Sequence, residues 1–388
     1  MRKAALIGIV FTLGLVQAAA GQELSGMQEA QTYPAAGVTI AMPAKFEYHT
    51  PADRFTILRA TQSSGGKVVL GVTLSAFPQD KNVSVNELAD GMTAELEKSL
   101  AIRNLKVIKK TPMPVAELKG TARLLTYTFR GRKTTAARVF FLREVKEPRL
   151  QLCYVLTVEA AEGKQAALVK TLGDVIKSVK LVGLQHPREI AVESFQTAWK
   201  DYKNGFSIRP PKGWFAVQTP AGVAMGQVDY LAQPVPIPSP SLSVVEMDVE
   251  AGTTASDLAG KTKEHYRAQS AKQDLVAKVV SEGEAKLAGV TGSQFVLRIA
   301  AKSAKTSTRP AKSDPFEVVI FRLVTIPAAE GEREVASYAL VYTCRNLPTE
   351  EAVAMVDKVA GTFKLLKTPK TKPAADTDNG GLEIKVSP

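Results

Sequence analysis

The sequence predicts an α+β fold in two tandem copies, each an antiparallel sheet covered by helices. Three observations carry this. Residues 202–215, Tyr-Lys-Asn-Gly-Phe-Ser-Ile-Arg-Pro-Pro-Lys-Gly-Trp-Phe, read as a short strand, a proline-glycine turn and a large aromatic that opens the next strand. A fainter copy stands 168 residues earlier, where Gly37, Val38, Ile40, Pro43 and Phe46 hold the places of Gly205, Phe206, Ile208, Pro211 and Trp214. Within each copy, runs of strands are broken by only two helical segments, the order of an antiparallel sheet rather than of βαβ units.

The first residues predict the compartment. Arg2 and Lys3 precede an apolar run over 4–16, and Ala18-Ala19-Ala20 supplies the small residues of a cleavage site, so 1–20 is read as a signal peptide. The run is shorter than the roughly 20 residues of a spanning helix, no later stretch approaches that length, and no cysteine follows it to carry a lipid. The expected product is exported, periplasmic or extracellular. Its length suits two domains of roughly 150 residues, and the 45% hydrophobic residues of the chain can fill both cores. The net charge of +12 is uneven: residues 33–185 hold 23 Lys plus Arg against 13 Asp plus Glu, and 186–368 hold 22 against 20. Basic excess argues encounter with anionic surfaces or partners, not a fold or a reaction. Two cysteines exclude a disulfide framework. Cys153 and Cys344 lie at non-equivalent points of the repeat and are read as buried thiols in preference to a bridge.

In order, residues 21–32 are polar and read as loose. A strand over 38–42 ends at Pro43, and strands over 55–60 and 67–77 flank the turn Ser63-Ser64-Gly65-Gly66. Ser84 with Glu87 three residues on is a capping box, opening a helix with Leu88, Met92, Leu96 and Leu100 on one face. Strands over 105–110 and 116–119 follow. Two more, over 121–129 and 136–142, surround the turn Arg130-Gly131-Arg132-Lys133, and a strand over 150–158 precedes a closing helix over 162–175.

The second copy repeats this plan. Leu258-Ala259 matches Leu88-Ala89, Gly289 matches Gly120, and Tyr338 and Phe363-Lys364-Leu365 match Tyr154 and Val179-Lys180-Leu181. The offset grows by 15 residues between Gly289 and Tyr338, which places an insertion at 300–315, in the hairpin equivalent to Arg130–Lys133. Between the copies, Phe195, Ala198, Trp199 and Tyr202 have helical spacing, and a linker helix over 184–201 is expected to pack between the domains. The expected organisation is a signal peptide at 1–20, a first domain at 33–183, the linker, a second domain at 202–367 and a disordered tail at 368–388.

Residues 202–215, with aromatic, glycine, apolar strand, proline, glycine and tryptophan, resemble the N-terminal signature of PsbP-like and DcrB-like domains. Gly361-Thr362-Phe363-Lys364 resembles their closing strand. The resemblance covers nearly all of the second copy and, more faintly, the first, where Lys45 replaces the turn glycine and Phe46 the tryptophan. It implies two α/β/α sandwiches, each a central antiparallel sheet flanked by helices, in a family of mostly non-catalytic accessory or assembly proteins of membranes and envelopes. It implies no catalytic residues.

Chemistry sought in the residues themselves is sparse. Ser64-Gly65-Gly66-Lys67 has the S-x-x-K spacing, but two glycines oppose the helix that chemistry needs. His49, His186 and His265 lie in unrelated contexts. Glu246, Asp248 and Glu250 alternate on one strand, which reads as a solvated edge ahead of a cation site. Asn82-Val83-Ser84 has glycosylation spacing, with Ser84 better explained as the cap. The candidate site is therefore the pair of basic loops: Arg130, Arg132 and Lys133 in the first copy, and Lys302, Lys305, Arg309 and Lys312 in the second. These read as equivalent cationic hairpin tips facing an anion. The expected function is that of an exported, non-enzymatic binding or assembly protein of the cell envelope. Its expected partner is a protein or an anionic envelope component, with peripheral membrane contact allowed and neither nucleic acid, cofactor nor metal expected. The alternative is a hydrolase or metal-dependent enzyme with its site in a cleft between the copies.

Overall fold

Each copy opens with a glutamine that staples the chain across its first turn. The backbone N–H of Gln28 donates to Met42 O (2.7 Å), and its Nε2 donates to Pro43 O (3.3 Å) and Phe46 O (2.5 Å). Gln196 makes the same three bonds to Pro210 O (2.8 Å), Pro211 O (2.7 Å) and Trp214 O (2.6 Å). Met27 and Phe195 form matching bridges to Pro43 and Pro211. Two expectations are corrected by this. Within the stretch over 21–32 read as loose, Met27, Gln28, Gln31 and Thr32 are paired, and the linker helix over 184–201 does not form. Instead the chain makes a 3-10 turn at Pro187–Glu189 and runs extended into a strand at Trp199–Asp201. The spacing of Phe195 and Trp199 is an even number of residues, so it fits one face of an extended chain as well as a helix. Both pack against the second core, not between the copies.

The computed structural model describes residues 26–146, 149–230, 237–247, 249–250, 252–302, 316–326 and 336–366. The expected signal peptide and tail lie outside these, as does Asp248. The first copy runs β1 (Gln31–Tyr33), β2 (Val38–Ile40), β3 (Glu47–His49), β4 (Thr56–Ser64), β5 (Lys67–Asp80), α1 (Val85–Lys98), β6 (Ile102–Pro112), β7 (Gly120–Phe129), β8 (Arg132–Glu144), β9 (Leu150–Ala161), α2 (Gln165–Ser178) and β10 (Lys180–Leu181). The second runs β11 (Trp199–Asp201), β12 (Phe206–Ile208), β13 (Phe215–Thr219), β14 (Gly222–Asp229), β15 (Ile237–Met247), α3 (Ala255–Lys272), β16 (Leu275–Leu287), β17 (Val290–Ala301), β18 (Phe316–Ile326), β19 (Ala336–Arg345), α4 (Thr349–Ala360) and β20 (Lys364–Leu365).

The topologies are identical. The seven-stranded antiparallel sheets have the orders β3-β4-β5-β9-β8-β7-β6 and β13-β14-β15-β19-β18-β17-β16, and small sheets β1-β2-β10 and β11-β12-β20 accompany them. Helices cover both faces, giving the α+β sandwich that the strand order and the family resemblance imply. On one face α1 packs Leu88 and Ala89 on Phe140, Cys153 and Val155, and on the other α2 packs Leu168, Leu172 and Val175 on the main core. Ser84 and Thr254 cap α1 and α3 with reciprocal bonds to Glu87 and Asp257. Tyr154 and Tyr338 each donate to the carbonyl before a left-handed glycine, Ala36 O before Gly37 (φ 61) and Asn204 O before Gly205 (φ 68). These bonds tie each small sheet to its large one. Trp214 is 2% exposed, at the start of β13 as expected.

Local expectations fail where a turn intervenes. Leu100 lies past the end of α1 and is exposed, because Ser99 is already extended. Residues 116–119 are a turn, with Ala116 and Glu117 at positive φ, not a strand. Gly120 corresponds to Gly292, not to Gly289. A Cβ at Gly120 would overlap Met113 O and Phe140 O, and one at Gly292 would overlap Leu323 O, whereas Gly289 is the open turn before β17. Glu246 sits in β15, which lies between β14 and β19 and is not an edge. Both cysteines are free and buried.

The copies meet through apolar side chains. Phe215, Val228 and Tyr230 of the second sheet enter the core of the first, the N–H of Ala216 donates to Pro51 O (2.9 Å), and His186 Nδ1 lies 3.3 Å from Asp229 Oδ2.

Candidate functional site

The basic loops occupy equivalent hairpins, β7–β8 and β17–β18. In the first copy Arg130 (φ 47) and Gly131 (φ 80) form the turn itself, while Arg132 and Lys133 already belong to β8, opposite Phe129 and Thr128. Lys133 Nζ is 3.2 Å from Glu162, and the Arg130 guanidinium lies 5.4 Å from the Phe129 ring centre. In the second copy Lys302 follows β17, where its N–H donates to Asp274 O (3.1 Å) and its Nζ stands 3.9 Å from Asp274 Oδ1. Lys305, Arg309 and Lys312 lie outside the described residues.

The structure adds Arg103 to the first corner, which sequence reading did not. Arg103 on β6 pairs with Thr128 on β7, which pairs with Lys133 on β8, so both cations stand on one face of one rung beside the tip. Arg103, Arg130 and Arg132 make no ion pair among the described residues.

A second cluster lies beneath α1. One rung crosses the whole first sheet as His49, Arg59, Thr73, Thr157, Arg138, Arg123 and Lys110. The matching rung of the second sheet is Val217, Ala224, Ser243, Val341, Phe321, Phe295 and Glu282. Arg123, whose side chain is 2% exposed, donates from Nε to Asp90 Oδ1 on α1 (3.1 Å), from Nη1 to Thr121 Oγ1 (2.6 Å) and from Nη2 to Asn86 Oδ1 (3.3 Å). Lys110 Nζ donates to the same Asp90 oxygen (2.9 Å), and these cations hold the Asp90 carboxyl below its ordinary range, Lys110 foremost. Arg138 Nη1 is buried without a hydrogen-bond partner among the described residues, and the nearby Glu159 accepts instead from Tyr127 Oη. Burial pushes the Cys153 thiol up to about 12. The signal in the sequence was an arginine at an inward position of each of two otherwise apolar strands.

The histidines do not converge: His49 Nε2 meets Thr61 Oγ1 (2.6 Å), His186 meets Asp229, and His265 lies against the Tyr266 ring. Ser64 and Lys67 face each other across the β4–β5 turn rather than along a helix. Among the described residues no group of His, Cys, Asp and Glu could hold a metal ion, and no helix is long and apolar enough to cross a membrane.

No protein-family model matches the chain, and no curated protein matches its sequence. Among solved structures it is similar to LpqN of Mycobacterium tuberculosis, involved in cell envelope biogenesis (7% identity, 37% of this chain and 83% of that one, TM-score 0.32). It is also similar to cyanobacterial PsbP from Synechocystis (13% identity, 46% and 95%, TM-score 0.29). A third similarity is to the type VI secretion immunity protein TplEi of Pseudomonas aeruginosa (11% identity, 88% and 99%, TM-score 0.21). At these scores none of the three bears on function.

Proposed function

We propose that this protein is an exported, non-catalytic binding or assembly module of the cell envelope, whose first copy meets an anionic surface or partner through the corner formed by Arg103, Arg130, Arg132 and Lys133. The observation that carries the reading is the concentration of cations at that corner, where among the described residues only Lys133 has an ion pair, with Glu162. At the equivalent place in the second copy Lys302 leans on Asp274, and Val276 stands where Arg103 stands. Each basic residue near an anionic membrane adds about 1 kcal/mol, enough in a cluster for reversible attachment. The junction between the copies, where the enzymatic alternative needs a cleft, is filled by Phe215, Val228 and Tyr230 and leaves a cavity of about 20 Å³.

Sedimentation with phosphatidylserine-containing vesicles tests the proposal. Binding should be strong at low salt and mostly lost by roughly 0.5 M, because charges more than about 8 Å apart are already screened at physiological ionic strength. Replacing Arg130, Arg132 and Lys133 with Ser should abolish it. Attachment that ignores both salt and these replacements would remove the corner from the function.

A further inference from the structure

The cleft between α1 and the β6–β7 ladder has a volume of about 320 Å³ and is walled by Asn86, Asp90, Lys110, Thr111, Thr121 and Arg123. That is at the small end of ligand pockets, which run from about 300 to 1,000 Å³. We propose that this cleft is a binding site for a small carboxylate ligand, held by Lys110 and the Arg123 fork.

The fold does not require the polar residues. At the same two sheet positions the second copy has Phe295 and Phe321, stacked with ring centres 4.7 Å apart, and Tyr266 of α3 packs edge-on at 4.9 Å from Phe321. Counting from the shared caps, Ser256 and Gly260 stand where Asn86 and Asp90 stand. An apolar filling therefore seats the helix on this sheet. Burying guanidinium groups there costs desolvation that such a filling avoids.

Cations outnumber acids in the cleft. Lys110 and Arg123 converge on one oxygen of one carboxylate, and Arg138, one strand further in, brings a third cation whose Nη1 has no hydrogen-bond partner among the described residues, the nearby Glu159 being bonded to Tyr127. The planar guanidinium fork matches carboxylate and phosphate alike, and the group bound there is a carboxylate, that of Asp90. Asp90 and Lys110 have side chains about half exposed, at 51% and 54%. Asp90 is thus an internal occupant able to swing outward, and a ligand carboxylate replaces it against Arg123. Thr111 and Thr121 add hydroxyls to the wall.

The site stands apart from the basic corner: Lys110 lies toward the far end of β6 from Arg103, so vesicle attachment and ligand binding fail or succeed independently. The test is an NMR titration of the whole mature chain with succinate, inorganic phosphate serving as the comparison. Succinate should shift the amides of Asn86, Asp90, Lys110 and Thr121. Lys110→Ala should weaken binding about tenfold, and Asp90→Asn, which removes the competing carboxylate but keeps its shape, should tighten it about tenfold. A purely structural role for Asp90 predicts no gain. The proposal is overturned if neither the wild type nor Asp90→Asn responds to succinate, if Lys110→Ala responds unchanged, or if phosphate binds more tightly than succinate.

Discussion

Under α3, two stacked phenylalanines fill the junction between helix and sheet; under α1, the same two positions are arginines. The difference extends to the edge. In the first copy Lys110 on β6 pairs with Asp90 on α1 (2.9 Å), and in the second Glu282 on β16 pairs with Lys263 on α3 (2.7 Å), the same tie with its charges reversed. One bulge is shared: both edge strands slip register, at Val107/Lys109 and Val279/Ser281, leaving Ile108 and Val280 exposed, while β6 has a further slip at Arg103/Lys106. Geometry is thus held constant while chemistry changes. A helix-to-edge ion pair of either polarity satisfies the fold, whereas the arginine layer occurs in the first copy and is phenylalanine in the second. The duplication serves as an internal control, separating residues needed for the sandwich from those that make one copy different.

The largest expected effect lies where the copies agree. Trp214 and Phe46 start equivalent strands, buried beneath the Gln196 and Gln28 staples, and replacing either with Ala should cost about 3 to 5 kcal/mol in chemical unfolding. A cost under about 1 kcal/mol at Phe46 would break the equivalence of the two openings. Next comes Arg123→Ala, which removes packing and orphans the buried Thr121 hydroxyl. It should cost about 2 to 3 kcal/mol, discounted because Asp90 can turn to water.

A smaller effect follows from pH. The Asp90 carboxyl lies below its ordinary 3.8 in the folded chain, so its contribution is present above that value and is lost as pH falls through the lower folded one. Glu282 is lowered likewise by Lys263. Acid strips both ties, but in the first copy it leaves Lys110, Arg123 and Arg138 facing one another. Amide protection on β6–β7 should therefore fall further than on β16–β17 below about pH 4; an equal decline would mean that the arginine layer carries no electrostatic strain. The smallest contrast is between the thiols. Burial raises both Cys153 and Cys344, so neither should react with a maleimide at about pH 8 until the chain unfolds.

Much of this architecture was legible in the residues. Glycine, proline and aromatic at fixed spacing gave the small sheet and its turn, and the strand-helix order gave the layers, because turn chemistry and burial leave local marks. The staples were not legible, since a glutamine bonding three carbonyls has no pattern of its own. Nor was the linker, where an even spacing of aromatics fits strand and helix alike. The basic tips were visible as surface charge. The rung beneath α1 was not, because seven residues from seven strands become neighbours only through register. Arg123 and Arg138, inward-facing in apolar strands, were the visible part of that rung.

The central claim is that these arginines are not needed to build the first sandwich. Native-state hydrogen exchange of the β7 and β8 amides in Asp90→Ala/Arg123→Phe/Arg138→Phe tests it directly. Alanine replaces the glycine of the second copy to spare the helix about 1 kcal/mol. Converting the layer to the apolar form should leave the opening free energy unchanged or raise it by about 1 to 4 kcal/mol, as buried ionic groups replaced by packed apolar ones do. A fall of more than about 2 kcal/mol would show that the arginines hold the first copy together, and would contradict the account.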